Sequence, residues 1–286
     1  MQYGNITYSA SLTFEDGSYY EYNSNNLDCD FAIVRSVAPE GSNAHITIHN
    51  IKKEDWQQFN SPQTTFNKNK RARIRFSIGR ENLGEYLVME KDVYTIITSK
   101  QGQTFYTQFY CKAGQFALQS VKPFSKTQTT LTELLKQFAK ERDLKIGKID
   151  ISDDTVFDFY KQPMTGIQTL TSIRKANPSV KIWIDNNKLF AIQNFEKVEN
   201  INANSLKITS AQLQSIPVLD GTNIKIKISL DPRIEINEII KLESSLLPNY
   251  NGNYKVLTVK HVGNYSYQNS SDGVTEIDLL YIVPRS

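Results

Sequence analysis

The chain has 286 residues and a net charge of +3, and 39% of its residues are hydrophobic while 22% are charged. This length allows one large domain or two to three smaller ones, and the composition excludes a disordered chain. The near-neutral charge argues against a nucleic-acid-binding protein, for which a strongly basic domain is expected. The first residues lack the basic and apolar segments of a signal peptide, and no run reaches the ~20 apolar residues of a membrane span. We therefore expect folding in a cytoplasm, without a membrane anchor.

The N-terminal part of the chain is predicted to be β-structure. Four segments either alternate apolar and polar residues or are rich in β-branched and aromatic residues, as strands are. They are 44–50, 71–78, 93–98 and 104–110. Between the first two, 53–59 favours one or two turns of helix. This part is expected to form a β-barrel or sandwich with short turns.

The hydrophobic period then changes to that of helices. In 130–144, apolar residues recur with the spacing of an amphipathic helix, and Thr130 with Glu133 suggests a capping box. A second helix is expected at 165–176, followed by two short strands within 180–192 around an Asp-Asn-Asn turn. These segments predict a compact α+β module.

The strand period returns in the last part of the chain. Ile224, Ile226, Ile228 and Leu230 alternate with polar residues, and further strands are expected at 254–262 and 275–282. The polar loop 263–273 between them is long enough to be mobile or to serve as a contact site.

The order of these segments resembles the baseplate hub proteins of contractile phage tails, the Mu-like hub and the late-control D family. The similarity rests on short segments that follow one another in the family's order. They are the strand 46–51 ending at Asn50, the pair 85–88 and 91–98, Ala113–Gly114, the helices 129–144 and 166–176, and the segments 213–217, 230–232 and 251–263. The chain departs from the family pattern at Lys91, where a turn glycine is usual, and at Ala113, where aspartate is usual. Residues 272–274 likewise occupy a loop in which a tryptophan often follows.

The resemblance implies a mainly β protein in which two tail-tube-type β-barrels flank a small α+β module. The expected domains are 1–122, 123–200 and 201–286. The resemblance further implies a homotrimeric ring with pseudo-sixfold symmetry that joins the central spike to the sixfold tail tube and nucleates the tube. Partners would be the spike, the tube or its initiator and other baseplate proteins, with DNA passing through the lumen. The protein would lie in the tail baseplate of the virion after assembly in the host cytoplasm.

No residue is expected to be catalytic, to bind a cofactor or to bind a metal. His45 and His49 share a strand face about 13 Å apart, too far to share an ion, and His261 is the third histidine. The carboxylate pairs Asp28/Asp30, Asp153/Asp154 and Glu133/Glu141 are interpreted as turns or helix faces because nothing places a pair in one cleft. Nucleophile-elbow, Walker and dinucleotide-binding patterns are absent from the sequence.

Two clusters leave alternatives open. Arg71, Arg73 and Arg75, with Lys68, Lys70 and Arg80 nearby, could form a solvated face, a subunit contact or a DNA contact. In the aromatic band, Phe105 and Phe109 lie on a different strand face from Tyr106 and Tyr110, and one face is expected to be core.

The two cysteines, Cys29 and Cys111, are expected to be buried thiols, with a bridge left open. The rival functions are a tail-associated cell-wall hydrolase and a carbohydrate-binding β-module.

Overall fold

The computed structural model describes residues 5–38, 41–59, 71–81, 84–152, 157–198, 205–245, 247–267 and 271–284. The N-terminal strands are β1 (Ile6–Phe14), β2 (Tyr19–Asn23), β3 (Cys29–Ser36), β4 (Asn43–His49), β5 (Ala72–Arg80), β6 (Gly84–Gln101) and β7 (Thr104–Lys112), with helix α1 (Lys53–Phe59) between β4 and β5. The four strands and the short helix expected here are confirmed.

The described residues in the middle of the chain form three helices and six strands. In order they are α2 (Gln115–Gln119), β8 (Val121–Thr129), α3 (Leu131–Glu141), β9 (Lys145–Asp150), β10 (Phe157–Thr165), α4 (Gly166–Ala176), β11 (Val180–Asp185), β12 (Lys188–Gln193) and β13 (Lys197–Val198). Thr130 accepts a hydrogen bond from the Glu133 amide at the start of α3, and Thr165 and Gln168 form a complete capping box on α4. Asn186 and Asn187 both have positive φ, as the tight turn between β11 and β12 requires.

The last part of the chain returns to strands. They are β14 (Leu206–Thr209), β15 (Val218–Asp220), β16 (Asn223–Ser229), β17 (Ile239–Glu243), β18 (Gly252–Tyr265), β19 (Asp272–Tyr281) and β20 (Val283–Pro284), with a 3-10 turn at Pro248–Tyr250. The predicted strands are confirmed, but β18 and β19 extend further into the polar segment 263–273 than expected. Among the described residues, no helix has the length and apolar composition to cross a membrane.

Strands from both ends of the chain form one sheet. The hydrogen-bonded order is β15-β16-β19-β18-β3-β4-β7-β6-β5-β1-β2, and β17 pairs with β18 and with β14. The central junction is antiparallel, with residues 258–265 of β18 opposite residues 36–29 of β3. The chain is therefore mainly β as expected, but the predicted pair of closed barrels is not confirmed, because the N-terminal and C-terminal strands share one open sheet.

At Lys91 the chain does not make the turn that is usual in the family pattern. Strand β6 continues from Gly84 to Gln101, and Lys91, Asp92 and Val93 are all buried within it. A turn would expose these residues, whereas here the Lys91 ammonium bonds to interior carbonyls and its stem packs inside the sheet. The register shifts on either side of this stretch, opposite β5 and then β7, so the strand bends instead of turning back. Its first half pairs with β5 and its second half with β7.

Three hydrophobic clusters stabilise the molecule. The first lies among β1–β7, the second among the helices and strands of the middle module, and the third among the C-terminal strands. Trp183, on β11 of the middle module, belongs to the third cluster. The packing of the middle module is thus continuous with that of the sheet.

Candidate functional site

The broadest candidate surface is one face of eight adjacent strands, β15-β16-β19-β18-β3-β4-β7-β6. We call it the open face: the side of these strands turned away from the hydrophobic clusters. Alternation places Val259 and Ile277 in the core and Lys260 and Glu276 on the open face, where they form a cross-strand ion pair at 3.0 Å. This face is therefore polar, as a surface in contact with solvent should be.

Histidine and aromatic side chains cover the part of the open face on β4 and β7. The His45 ring stacks on Tyr110 with ring centroids 4.5 Å apart, and His49 packs edge-on against Tyr106 at 4.7 Å. His49 also lies 2.9 Å from Asp30. Each histidine thus has its own aromatic partner, and the described residues contain no group of three or more potential metal ligands. Phe109 lies on the opposite face in the core, so the predicted division of the aromatic band is confirmed.

Both ends of the open face are strand edges that the described part of the chain does not pair. Strand β15 pairs only with β16, and residues 95–101 of β6 pair only with β7. Apolar side chains are exposed at both edges: Ile216, Val218 and Leu219 at or beside β15, and Tyr94 and Ile97 on β6. Unpaired edges with exposed apolar residues readily pair with another chain.

The arginine cluster of β5 faces a cleft of about 580 Å³ between the sheet and the middle module. Arg73 lies 3.4 Å from Asp92, Arg75 lies 3.7 Å from Glu90, and Arg71 lies 3.8 Å from Glu15. Each arginine therefore has an intrachain carboxylate, which lowers the attraction of this face for DNA. Arg80 is not part of the cluster, because it is buried and donates to the Leu230 carbonyl, and Lys68 and Lys70 lie outside the described residues.

Three of the candidate carboxylates, Asp28, Asp30 and Glu141, have structural partners. Asp28 accepts a hydrogen bond from the Tyr267 amide at 2.7 Å, and Asp30 pairs with His49 on the open face. Glu141 accepts from Gln137 one turn earlier in α3. Asp153 and Asp154 lie outside the described residues. Cys29 and Cys111 are both buried and free, as expected.

A buried polar junction joins the sheet to the middle module. The Arg35 guanidinium, on β3, donates to the Asp185 carboxylate at 2.7 Å and 3.1 Å, and both side chains are more than 95% buried. The Asn186 side chain, in the turn after β11, accepts from the Glu90 amide of β6 at 2.8 Å. Burial opposes the charge of Arg35, but attraction and hydrogen bonding by Asp185 outweigh it and raise the pKa of Arg35. The tip of this hairpin is thus fixed to two strands of the sheet.

Lys91 and His261 complete the junction. The Lys91 ammonium donates to the Val34 carbonyl at 2.7 Å and to the Asn43 carbonyl at 3.1 Å, and burial lowers the pKa of Lys91 to about 7. His261 Nδ1 lies 3.0 Å from the Thr275 hydroxyl, and burial, with the positive charge of Arg35, lowers the pKa of His261 to about 3. Both side chains are fully buried.

Comparison with known protein families identifies the family of this chain. Residues 8–266 match the family model described as baseplate hub gp41. The chain belongs to the baseplate hub gp41 family. This membership confirms the resemblance drawn from the order of segments, and it supports a structural role in the tail of a phage virion. Among curated proteins, no sequence matches this hub-family chain.

Solved structures share the fold of this hub-family chain. A 43 kDa tail protein of prophage MuSo2 from Shewanella oneidensis is 10% identical, with a TM-score of 0.63 over 96% of this chain and 98% of that one. A tail protein from Neisseria meningitidis MC58 is 9% identical, with a TM-score of 0.61 over 97% and 96%. A chain of the Francisella PdpA-VgrG complex is 8% identical, with a TM-score of 0.62 over 99% of this chain but 54% of that one. At such identities these similarities show the fold alone.

Lys91 gives this hub-family chain a pH-dependent stability that can be measured. Its pKa is about 7 in the folded chain and near 10.4 when unfolded, so between these values the unfolded state binds one proton more. We expect the free energy of unfolding of the wild type, minus that of Lys91→Met, to rise by about 1.4 kcal/mol per pH unit from pH 7 towards pH 10. Urea unfolding of both proteins in halide-free buffer checks this. A difference that stays constant with pH would contradict it.

Proposed function

We propose that this chain is the structural hub of a contractile-tail baseplate or a related injection machine, and that it acts without catalysis. Three copies form a ring with pseudo-sixfold symmetry that joins the central spike to the sixfold tail tube and nucleates tube assembly. Membership of the baseplate hub gp41 family and the shared fold with prophage tail proteins support this proposal. The partners are the spike, the tube or its initiator and other baseplate proteins.

The arrangement of the eight strands of the open face carries the proposal. They divide into two sets of four, β6-β7-β4-β3 from the N-terminal part and β18-β19-β16-β15 from the C-terminal part. The sets meet where β3 pairs with β18. One chain therefore contributes two similar sheet units, and three chains contribute six, the number that a sixfold tube requires. The domains 1–122 and 201–286 would each supply one unit, with 123–200 outside the ring.

The two unpaired edges provide a way to close this ring. The β15 edge of one copy can pair with the β6 edge of the next, which is a head-to-tail contact between different surfaces. Such contacts close into a ring when the rotation between neighbours is right. The exposed apolar side chains at both edges become buried in the process. The open face then lines the channel, where ion pairs such as Lys260 with Glu276 lower its attraction for passing DNA.

A lysine at an edge should prevent the ring from closing. Leu219→Lys places a charge on the β15 edge, where charged side chains discourage pairing between strands. We expect the wild type to form a trimer and the variant to remain mostly monomeric but folded, because Leu219 is 56% exposed and contributes little to the fold of a single copy. Light scattering gives the mass, and class-averaged electron microscopy gives the symmetry.

The matched control is Ile146→Lys, which changes an exposed isoleucine on β9, a strand of the middle module that is not part of the large sheet. This control should form the same ring as the wild type. A wild-type chain that stays monomeric at every concentration would contradict ring formation by this chain. A Leu219→Lys ring identical to that of the wild type would contradict the assigned edge.

A further inference from the structure

Three buried nitrogen donors meet at the polar junction. Arg35 and His261 lie on the same face of the neighbouring strands β3 and β18, where Arg35 is opposite Val259 and His261 is opposite Ile33. The Lys91 ammonium bonds to the carbonyl of Val34, the residue before Arg35. The exposed fractions of Arg35, Lys91 and His261 are 3%, 0% and 0%. The charges of Arg35 and Lys91 both act on His261, so three buried side chains from distant parts of the sequence lie near one another.

Each of these three side chains has one N–H group for which the described residues provide no acceptor. Arg35 uses Nε and Nη2 on Asp185, and its Nη1 has no partner within the described part of the chain. The Thr275 hydroxyl accepts from the Asp231 amide and lies 3.0 Å from His261 Nδ1, and we assign its proton to the hydrogen bond with Nδ1. This assigns the ring proton of His261 to Nε2, which is also without a partner among the described residues. In its protonated form, Lys91 has three N–H groups and two acceptors, the carbonyls of Val34 and Asn43.

The charges around these donors are also unbalanced. Arg35 is a cation paired with Asp185, and protonated Lys91 adds a second positive charge that has no carboxylate partner among the described residues. The Asp231 carboxylate is engaged by Arg233 at 2.7 Å and 2.9 Å, and Glu235 is 54% exposed and 3.9 Å from Arg35. Glu238 is exposed to solvent, which weakens it as a counter-ion for Arg35. Unpaired buried cations cost free energy, so this region favours a further negative group.

We propose that a small monatomic anion of the halide class, such as chloride, binds between Arg35 Nη1, His261 Nε2 and the Lys91 ammonium. An anion accepts from all three donors and offsets the excess positive charge. A buried water molecule accepts only two hydrogen bonds, and its own protons need acceptors. The ion would connect β3, β6 and β18 directly, and through Asp185 it would also stabilise the docking of the middle module. This inference is independent of the proposed ring.

Bromide provides a direct test because its anomalous scattering distinguishes it from water. The full chain is crystallised with bromide in place of chloride, and diffraction is measured at the bromine absorption edge. We expect an anomalous peak in contact with both Arg35 Nη1 and His261 Nε2. Water or no density at that position would overturn the proposal. So would bromide at surface positions alone, since that outcome means an adventitious ion only.

Variants provide a second readout in solution. Supplying chloride in place of gluconate, a much larger anion, at constant ionic strength should raise the melting temperature of the wild type by about 2 °C or more. His261→Phe removes one donor and should lose this response, while His261→Gln keeps a side-chain N–H and should retain part of it. His45→Phe is the control, because His45 lies on the open face against Tyr110. Equal responses of the wild type and His261→Phe would overturn the proposal even if the variant is less stable.

Discussion

Asp185→Ala is expected to lower the free energy of unfolding by about 3–5 kcal/mol, because it leaves the Arg35 guanidinium buried without its carboxylate. Arg35 is 3% exposed, so water cannot replace the two lost hydrogen bonds without opening the junction. Nearby Glu235 is a poor substitute, since it is exposed and 3.9 Å away. The loss should fall on the contact between the sheet and the hairpin β11–β12. Urea unfolding followed by fluorescence of buried Trp183, two residues before Asp185, reports it.

A surface ion pair provides the matched control for Asp185→Ala. Glu276 and Lys260 form an ion pair between neighbouring strands at 3.0 Å, but unlike Arg35 and Asp185 both side chains are about 40% exposed. Glu276→Ala should therefore cost at most about 1 kcal/mol. The double variant Arg35→Met with Asp185→Leu removes both charges and should recover part of the stability lost in Asp185→Ala. A cost for Asp185→Ala no larger than that for Glu276→Ala would contradict the buried junction.

The local structure of this chain could be predicted from its sequence because strands and helices have short periods. Ile46 and Ile48 alternate with polar residues in one strand, and this pattern alone places them in the core. The Asn186–Asn187 turn was also predictable, since asparagine tolerates positive φ. The resemblance to baseplate hubs rested on the order of such segments, and membership of the family confirms it.

The assembly of these segments could not be predicted in the same way. Alternation identifies the two faces of β3 but not its partner strand, so nothing predicted pairing with β18, more than 200 residues later. The open sheet was missed for this reason. Arg35 and Asp185 are 150 positions apart, and no local pattern links them. One signal was available: Arg35 continues the face of Cys29, Phe31 and Ile33, so a charge stands in an otherwise apolar series.

Leu134→Asp is expected to unfold the middle module. Leu134 lies in α3 and is 0% exposed, packed in the cluster that includes Leu170 and Ile182. The substitution removes a buried leucine, which by itself costs about 2–5 kcal/mol. It also places a carboxyl group where the cluster offers apolar contacts, which adds a further penalty even if the group becomes protonated. The sum is comparable to the whole stability of a typical domain, about 5–15 kcal/mol.

Two substitutions separate the buried face of α3 from a general effect on the helix. Lys136→Asp introduces the same side chain on the exposed face two residues later and should leave the module folded. Leu134→Met keeps the volume and polarity of the site and should cost less than about 1.5 kcal/mol. Amide hydrogen exchange locates the damage, which should appear first in α3, α4 and the strands β9, β11 and β12. Trp183 links this module to the C-terminal cluster, so protection in β18 and β19 should then fall as well. Native protection of α3 in Leu134→Asp would mean that its buried face is wrongly assigned.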